Sequence, residues 1–278
     1  MQLSEERTNV NDERFRHSFV IQCQSSSDHS CFVIFYPRPP VPRASCSMLH
    51  SHIMTQPFRA VIFDLDGVLA DSEPWWNEID AKLLAEHGVN YRGEYHRNVL
   101  GVSYRLAVEF YKKTFGLSVS LEELMRRRGE IATDFFASRI DVFPSTKTVL
   151  QELRQMNLHL AVATSSVSAS ARPFLDRHGL TAFFEIVVTG EEVEHGKPDP
   201  EIYLCAGEKL GVGTDVCLVI EDALSGIAAA KAAKMRVAAI PDTRFVDPSE
   251  YKKQADYVLS SLKELPSLIQ RVNPIPEP

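Results

Sequence analysis

Long hydrophobic runs are missing from this 278-residue sequence. A membrane-spanning helix needs roughly 18–20 consecutive apolar residues. The longest runs here are short pieces such as 31–36 and 217–220, which argues against the bilayer as a solvent. Cysteine is scarce too. The five residues, at positions 23, 31, 46, 205 and 217, are odd in number and lack metal-ligand spacing. A disulfide framework or zinc site is therefore a poor reading, and a reducing, cytoplasmic setting is the expectation. Nor is there a surplus of positive charge. Thirty Lys and Arg against 37 Asp and Glu leave a net charge of −7, which counts against nucleic acid or an anionic membrane as partner. What is there, 44 % hydrophobic and 24 % charged residues, lies in the globular range and is enough chain for one large domain or two ordinary ones.

The first 57 residues carry a Ser25-Ser26-Ser27 run, the prolines Pro37, Pro39, Pro40 and Pro42, and no sustained period of 2 or 3.6 apart from the apolar patch at 31–36. They read as a poorly ordered extension. Glu5, Glu6, Asp12 and Glu13 load its start with acid, unlike a secretory or organellar leader. Met54, just ahead of the first convincing strand, is an expected alternative start.

From Phe58 the texture changes. Short β-rich runs at 60–63, 160–163, 185–188, 216–220, 237–240 and 257–259 alternate with helical patterns at 146–156, 168–178, 200–210, 225–234 and 262–271. Strands of a few apolar residues, each followed by a helix, predict an α/β fold with a doubly wound parallel sheet. One connection breaks the rhythm: residues 72–143 contain no strand-like run. Leu121, Leu124, Met125, Ile131, Phe135, Phe136 and Ile140 follow helical spacing there, with Arg126, Arg127 and Arg128 read as the opposite, solvated side. This predicts a helical cap inserted into a core of 58–71 and 144–272, with a tail at 273–278. An insertion leaving the carboxyl end of a strand hangs over the crevice where such sheets bind ligands.

Four clusters fall at strand ends. In the first, the apolar run 60–63 ends in Asp64 and Asp66, two residues apart and so facing one space, and Gly67 permits a sharp turn. Alone, such a pair is more often a solvated turn. In the second, Thr164, Ser165 and Ser166 follow a buried strand and precede a helix, a place that suits an anion or ordinary capping. The third frames Lys197 between Gly196 and the prolines Pro198 and Pro200. The fourth is the acidic pair Glu221 and Asp222, followed by Ser225-Gly226 and an Ala-rich helix. Burying these carboxylates together costs several kcal/mol unless cations pair them, so convergence of the clusters demands a metal ion and Lys197.

These four motifs, in this order, resemble the haloacid dehalogenase-like hydrolase superfamily of aspartate-nucleophile phosphatases, over Phe58 to about Arg271. The resemblance implies Asp64 as nucleophile and Asp66 as general acid and base. It implies Thr164 and Lys197 as holders of the transferring phosphoryl group, with Ser165 and Gly67 beside them. Mg²⁺ would be bound by Asp64, Asp222 and the Asp66 main-chain carbonyl, with Glu221 supporting the site. A hard divalent ion takes oxygen ligands, so carboxylates suffice without His or Cys.

The cap is similar to that of the beta-phosphoglucomutase and sugar-phosphatase branch, and Asp71-Ser72-Glu73-Pro74 to the start seen in its sugar phosphatases. Trp76 stands where the mutases carry a histidine, Leu100 where they carry a lysine, and Tyr104 where they carry an arginine, with Arg105 one later. These departures favour a phosphatase over a mutase, with Gly101, Ser103 and Arg105 as candidate cap contacts. Trp75 and Trp76 read as packing more readily than as sugar-stacking rings. The expected substrate is a small phosphorylated metabolite: a hexose, polyol, nucleotide or pseudouridine phosphate. The expected state is a monomer. A signalling receiver module shares the acidic pair, hydroxyl and lysine, but would need only about 120 residues and no 72-residue insertion; a non-catalytic scaffold would not keep every motif residue.

Overall fold

A computed structural model describes residues 56–92, 95, 98–99 and 104–273. The expectations for the N-terminal extension up to residue 55, for Gly101 and Ser103, and for the tail beyond residue 273 fall outside the described residues. The run Ala60–Phe63 forms β1, all four residues buried. It is joined in one sheet by β2 (His159–Ala163), β3 (Ile186–Val188), β4 (Cys217–Glu221), β5 (Arg236–Ala239) and β6 (Tyr257–Val258), in the order β3-β2-β1-β4-β5-β6. Every pairing is parallel.

Alternate side chains of a strand point to opposite faces, and a parallel sheet needs cover on both. Val61 and Phe63 enter one core with residues of α4 (Thr146–Gln155), α5 (Ser168–Arg177) and α9 (Leu265–Val272). Ala60 and Ile62 enter the other, with α6 (Glu201–Leu210), α7 (Leu224–Ala232) and the short α8 (Tyr251–Gln254). Each fully buried Val, Leu, Ile or Phe side chain contributes about 1.5–3 kcal/mol, so the sheet is held by its two apolar faces. The fold is the expected α/β, doubly wound sheet. Most element ends shift by a residue or two. Glu221 belongs to β4 itself, and the pattern at 262–271 splits into a 3₁₀ turn, Leu262–Glu264, and α9. Pro266 sits in the first turn of α9, where its missing N–H costs nothing.

Between β1 and β2 stand the cap helices α1 (Glu73–Ala85), α2 (Tyr104–Phe115) and α3 (Leu121–Ser138). The Ser120 hydroxyl accepts from the Glu123 N–H at 3.1 Å and caps α3. Helix α3 packs on α1 and α2, and also on α5 of the core. The cap's two connections run side by side: Asp71 N donates to Asp141 O at 2.9 Å, Phe143 N donates to Leu69 O at 3.1 Å, and Ala70 bridges Val142. Among the described residues, no helix is long and apolar enough to cross a membrane.

Candidate active site

Phe63 pairs with Val162 on one side and Ile220 on the other, so the residues that follow these three strands emerge side by side. The chain order also reverses here, β1 leading to β2 on one side while β4 lies on the other. Such a switch point opens a crevice at the strand ends. Asp64 extends from β1, its N–H donating to Ile220 O at 3.0 Å. Asp66 follows at the turn, and Gly67 has φ +70°. A Cβ on Gly67 would lie 1.9 Å from Asp222 Oδ2, so only glycine lets the first and fourth motifs come this close.

Lys197, 7 % exposed, ties the third motif to both acidic ones. Its Nζ lies 2.6 Å from Asp64 Oδ1 and 2.6 Å from Glu221 Oε1. Burial works against the ammonium, yet Asp64 and Glu221 hold its pKa well above the usual lysine value. Glu221 is fully occupied. Its Oε1 also accepts from the Tyr203 hydroxyl at 2.5 Å, and its Oε2 accepts from the N–H groups of Asp222 and Ala223, both at 3.1 Å. Gly226 makes room for it, since a Cβ there would meet Oε1 at 1.7 Å.

Oxygens of Asp64, Glu221 and Asp222 lie within 4.8 Å of one another. Burial pushes Asp64 up to about 7, Lys197 pulling against it while Glu221 and Asp66 push with it. Asp222 is raised well above the carboxylate range by burial, then by Glu221 and Asp64. Among the described residues no hydrogen bond ends on the Asp222 carboxylate. One ammonium does not balance this group, and the oxygen-only donor set fits a hard divalent cation. Asp64 and Asp222 have carboxylate capacity to spare for it; Glu221 holds the lysine and the loop instead.

Asp66 differs from its neighbours. Its Oδ2 accepts from Ser166 Oγ at 2.8 Å, while Oδ1 is buried with no hydrogen-bond partner. Burial raises its pKa, and the hydrogen bond from Ser166 pulls it back. Thr164 is buried, its Oγ1 accepting the Ser166 N–H at 3.0 Å, which shapes the loop presenting Ser165 and Ser166. The Gly67 N–H is turned toward Ala70 O and Ser72 Oγ. Arg105 lies on the exposed side of α2, ion-paired with Glu109 at 2.9 Å, and is not a lining residue of the cleft.

The cleft that Asp64, Asp66, Lys197 and Asp222 share is open to solvent, and its lining runs from the strand ends to the cap helices. Its cap side carries residues that the sequence reading did not pick out. Arg128 is one. Taken from sequence as solvated, it is 5 % exposed, with its guanidinium 4.4 Å from the Trp76 ring centre and 4.7 Å from that of Tyr104. Asp80 of α1 fixes it, Oδ1 to Nε at 2.6 Å and Oδ2 to Nη2 at 3.2 Å. The signal was present: Arg128 follows Leu124 by four residues and precedes Ile131 by three, within the apolar stripe. Glu73, Asp242, Phe245 and Tyr251 line the cleft as well.

The family model for haloacid dehalogenase-like hydrolases matches residues 61–240. The chain belongs to that family. It is 36 % identical over 174 residues to a phosphorylated carbohydrates phosphatase of Thermotoga maritima, covering 63 % of this chain and 81 % of that protein. It is 30 % identical over 214 residues to hexitol phosphatase B of Escherichia coli, covering 74 % and 93 %. The crystal structure of CbbY from Rhodobacter sphaeroides with phosphate superposes with a TM-score of 0.64 at 25 % identity, covering 75 % of this chain and 96 % of that one. These likenesses make the chain an enzyme, a phosphoric monoester hydrolase of the sugar-phosphatase branch.

Proposed function

We propose that this hydrolase releases phosphate from a small phosphate monoester of a sugar or similar metabolite, in two steps through Asp64. An Asp64 carboxylate oxygen attacks phosphorus, forming an aspartyl-phosphate as the bond to the leaving alkoxide breaks. Asp66 gives that oxygen its proton and then removes one from the water that cleaves the acyl-phosphate, returning Asp64 and inorganic phosphate. The raised Asp66 pKa suits both duties. Lys197, fixed 2.6 Å from Asp64 Oδ1, draws negative charge off the in-line transition state, and Ser165, on the loop that Thr164 shapes, holds the phosphoryl group. A Mg²⁺ held by Asp64, Asp222 and the Asp66 main-chain carbonyl would supply the positive charge that lets an anionic nucleophile approach an anionic phosphate.

The observation that carries this reading is the convergence of Asp64, Asp66, Lys197 and Asp222 on one cleft from three separate parts of the chain. The helices between 72 and 143 act as its lid and choose the substrate. Phosphate release from a panel of about fifty monoesters, with Mg²⁺ and with chelator, tests it by kcat/KM ranking. Mg²⁺-dependent turnover that Asp64→Asn abolishes is expected. Equal turnover in chelator, or full turnover by that variant, rejects the mechanism.

A further inference from the structure

A second cavity lies beside the cleft, between α3 of the cap and the start of α5. Trp76, Tyr104 and Met125 line one side of it and Ser166, Ser170 and Glu191 the other. Trp76, Tyr104, Ser165 and Ser166 border both spaces, whereas Arg128 lines only the cleft. The two spaces therefore meet at the Ser165-Ser166 loop, and the Ser166 hydroxyl is 2.8 Å from Asp66 Oδ2.

Helix α3 keeps this cavity open at some expense. Gly129 stands in the middle of α3, and glycine is among the poorest helix formers. Neither backbone nor packing calls for it. Its φ is not among the positive ones, and an added Cβ would meet only the Tyr104 hydroxyl, at 3.6 Å. The same helix elsewhere buries Leu124, Ile131, Phe135 and Phe136 tightly. A glycine that nothing crowds, on the wall of a cavity, leaves room for something other than the protein.

We infer that this second cavity receives the far end of the substrate's alcohol, so that the enzyme selects a phosphate monoester of a polyol or sugar of six carbons or more over a three-carbon one. The inference rests on the phosphatase reading of Asp64 and Asp66. If Asp66 protonates the leaving oxygen, the first carbons of the alcohol lie at Asp66 and Ser166. A three-carbon chain ends there, and a longer one continues past Ser166. The lining matches such a chain: aromatic rings and a thioether meet C–H faces, while serine hydroxyls and the Glu191 carboxylate meet hydroxyl groups.

The test compares kcat/KM for glucitol 6-phosphate and glycerol 3-phosphate in the full-length enzyme with Mg²⁺. The wild type should favour the longer substrate by about tenfold or more. Gly129→Leu, which puts a side chain into the cavity, should cut that ratio by about fivefold or more. Gly129→Ala should hold the ratio within about twofold and raise the melting temperature. Met125→Phe narrows the cavity one turn earlier on the same helix, and should lower the ratio even where Gly129→Leu fails to fold. No length preference in the wild type, or a parallel loss on both substrates in the filled variants, overturns the inference while leaving the phosphatase reading intact. Release of phosphate from neither substrate, nor from any monoester of the panel, overturns both.

Discussion

At the scale of single residues, the site turns on charges removed from water. Asp64→Asn takes away the proposed nucleophile while keeping shape and one hydrogen-bond acceptor for Lys197, so phosphate release should fall by about three orders of magnitude or more, with the melting temperature maintained. Arg128 behaves in the opposite way. It pairs with a fully buried Asp80, and Arg128→Ala removes the guanidinium from that carboxylate, which should cost about 3–5 kcal/mol in chemical denaturation. The double variant Asp80→Leu/Arg128→Met should recover most of that stability. Its kcat/KM should stay low, because the cleft has lost its cap-side cation. His178 gives a pH signature away from the site. Burial, then Arg177, lowers its pKa from 6.5, and its Nε2 has no hydrogen-bond partner. A base depressed in the folded state contributes stability above its unfolded pKa, lost as pH falls through the folded value. The buried carboxylates of the site titrate with the opposite sign in the same range, so the signature is read as a difference: between pH 7.5 and pH 5.5 the melting temperature of His178→Gln should rise relative to that of the wild type.

At the scale of elements, helices and strands place the charges, and one glycine illustrates how. Gly226→Ala in α7 should gain helix propensity of about 1 kcal/mol, yet lower both melting temperature and kcat. The new Cβ meets Glu221 Oε1 at 1.7 Å and displaces the carboxylate that holds Lys197, Tyr203 and two backbone N–H groups. Much of this layer was legible in the sequence. Short apolar runs followed by amphipathic stretches mark all six strands to within a residue or two, and the core helices other than the four-residue α8 to within three, because strand and helix periods are local properties. Asp64, Asp66 and Asp222 were legible because they follow the end of such a run, and Lys197 because Pro198 and Pro200 frame it ahead of a helix. Arg128 and Asp80 were not picked out, since a charged residue within an apolar stripe becomes intelligible only when its partner, 48 residues away, is seen across two helices. Arg105 was singled out by nearness to a turn, but helix phase puts it on the exposed side of α2. The second cavity had no local signal other than one glycine.

At the scale of the whole molecule, the two ends of the described fold hold each other. Phe58 N donates to Asn273 Oδ1 at 2.7 Å, and Asn273 Nδ2 donates to Phe58 O at 2.7 Å. Asn273→Ala should cost about 1–3 kcal/mol in denaturant unfolding, while kcat stays the same, since the clasp lies outside the lining of the cleft. The family match at residues 61–240 begins only after Phe58. A protein lacking residues 1–55 should therefore keep the full chain's kcat/KM, read by the same phosphate-release measurement.

The paired connections of the cap have one more consequence. Because Asp71 and Asp141 are hydrogen-bonded and Ala70 bridges Val142, the insertion departs and returns through nearly the same point. To the sheet, everything between is closed like a hairpin tip, and loop-closure entropy grows only slowly with the length of what is closed. The segment is thus a module in the engineering sense. A cap of different length and lining, grafted at 70 and 142, would meet the same two hydrogen-bonded stems, so selectivity can be rewritten there while the carboxylates and Lys197 below stay where they are.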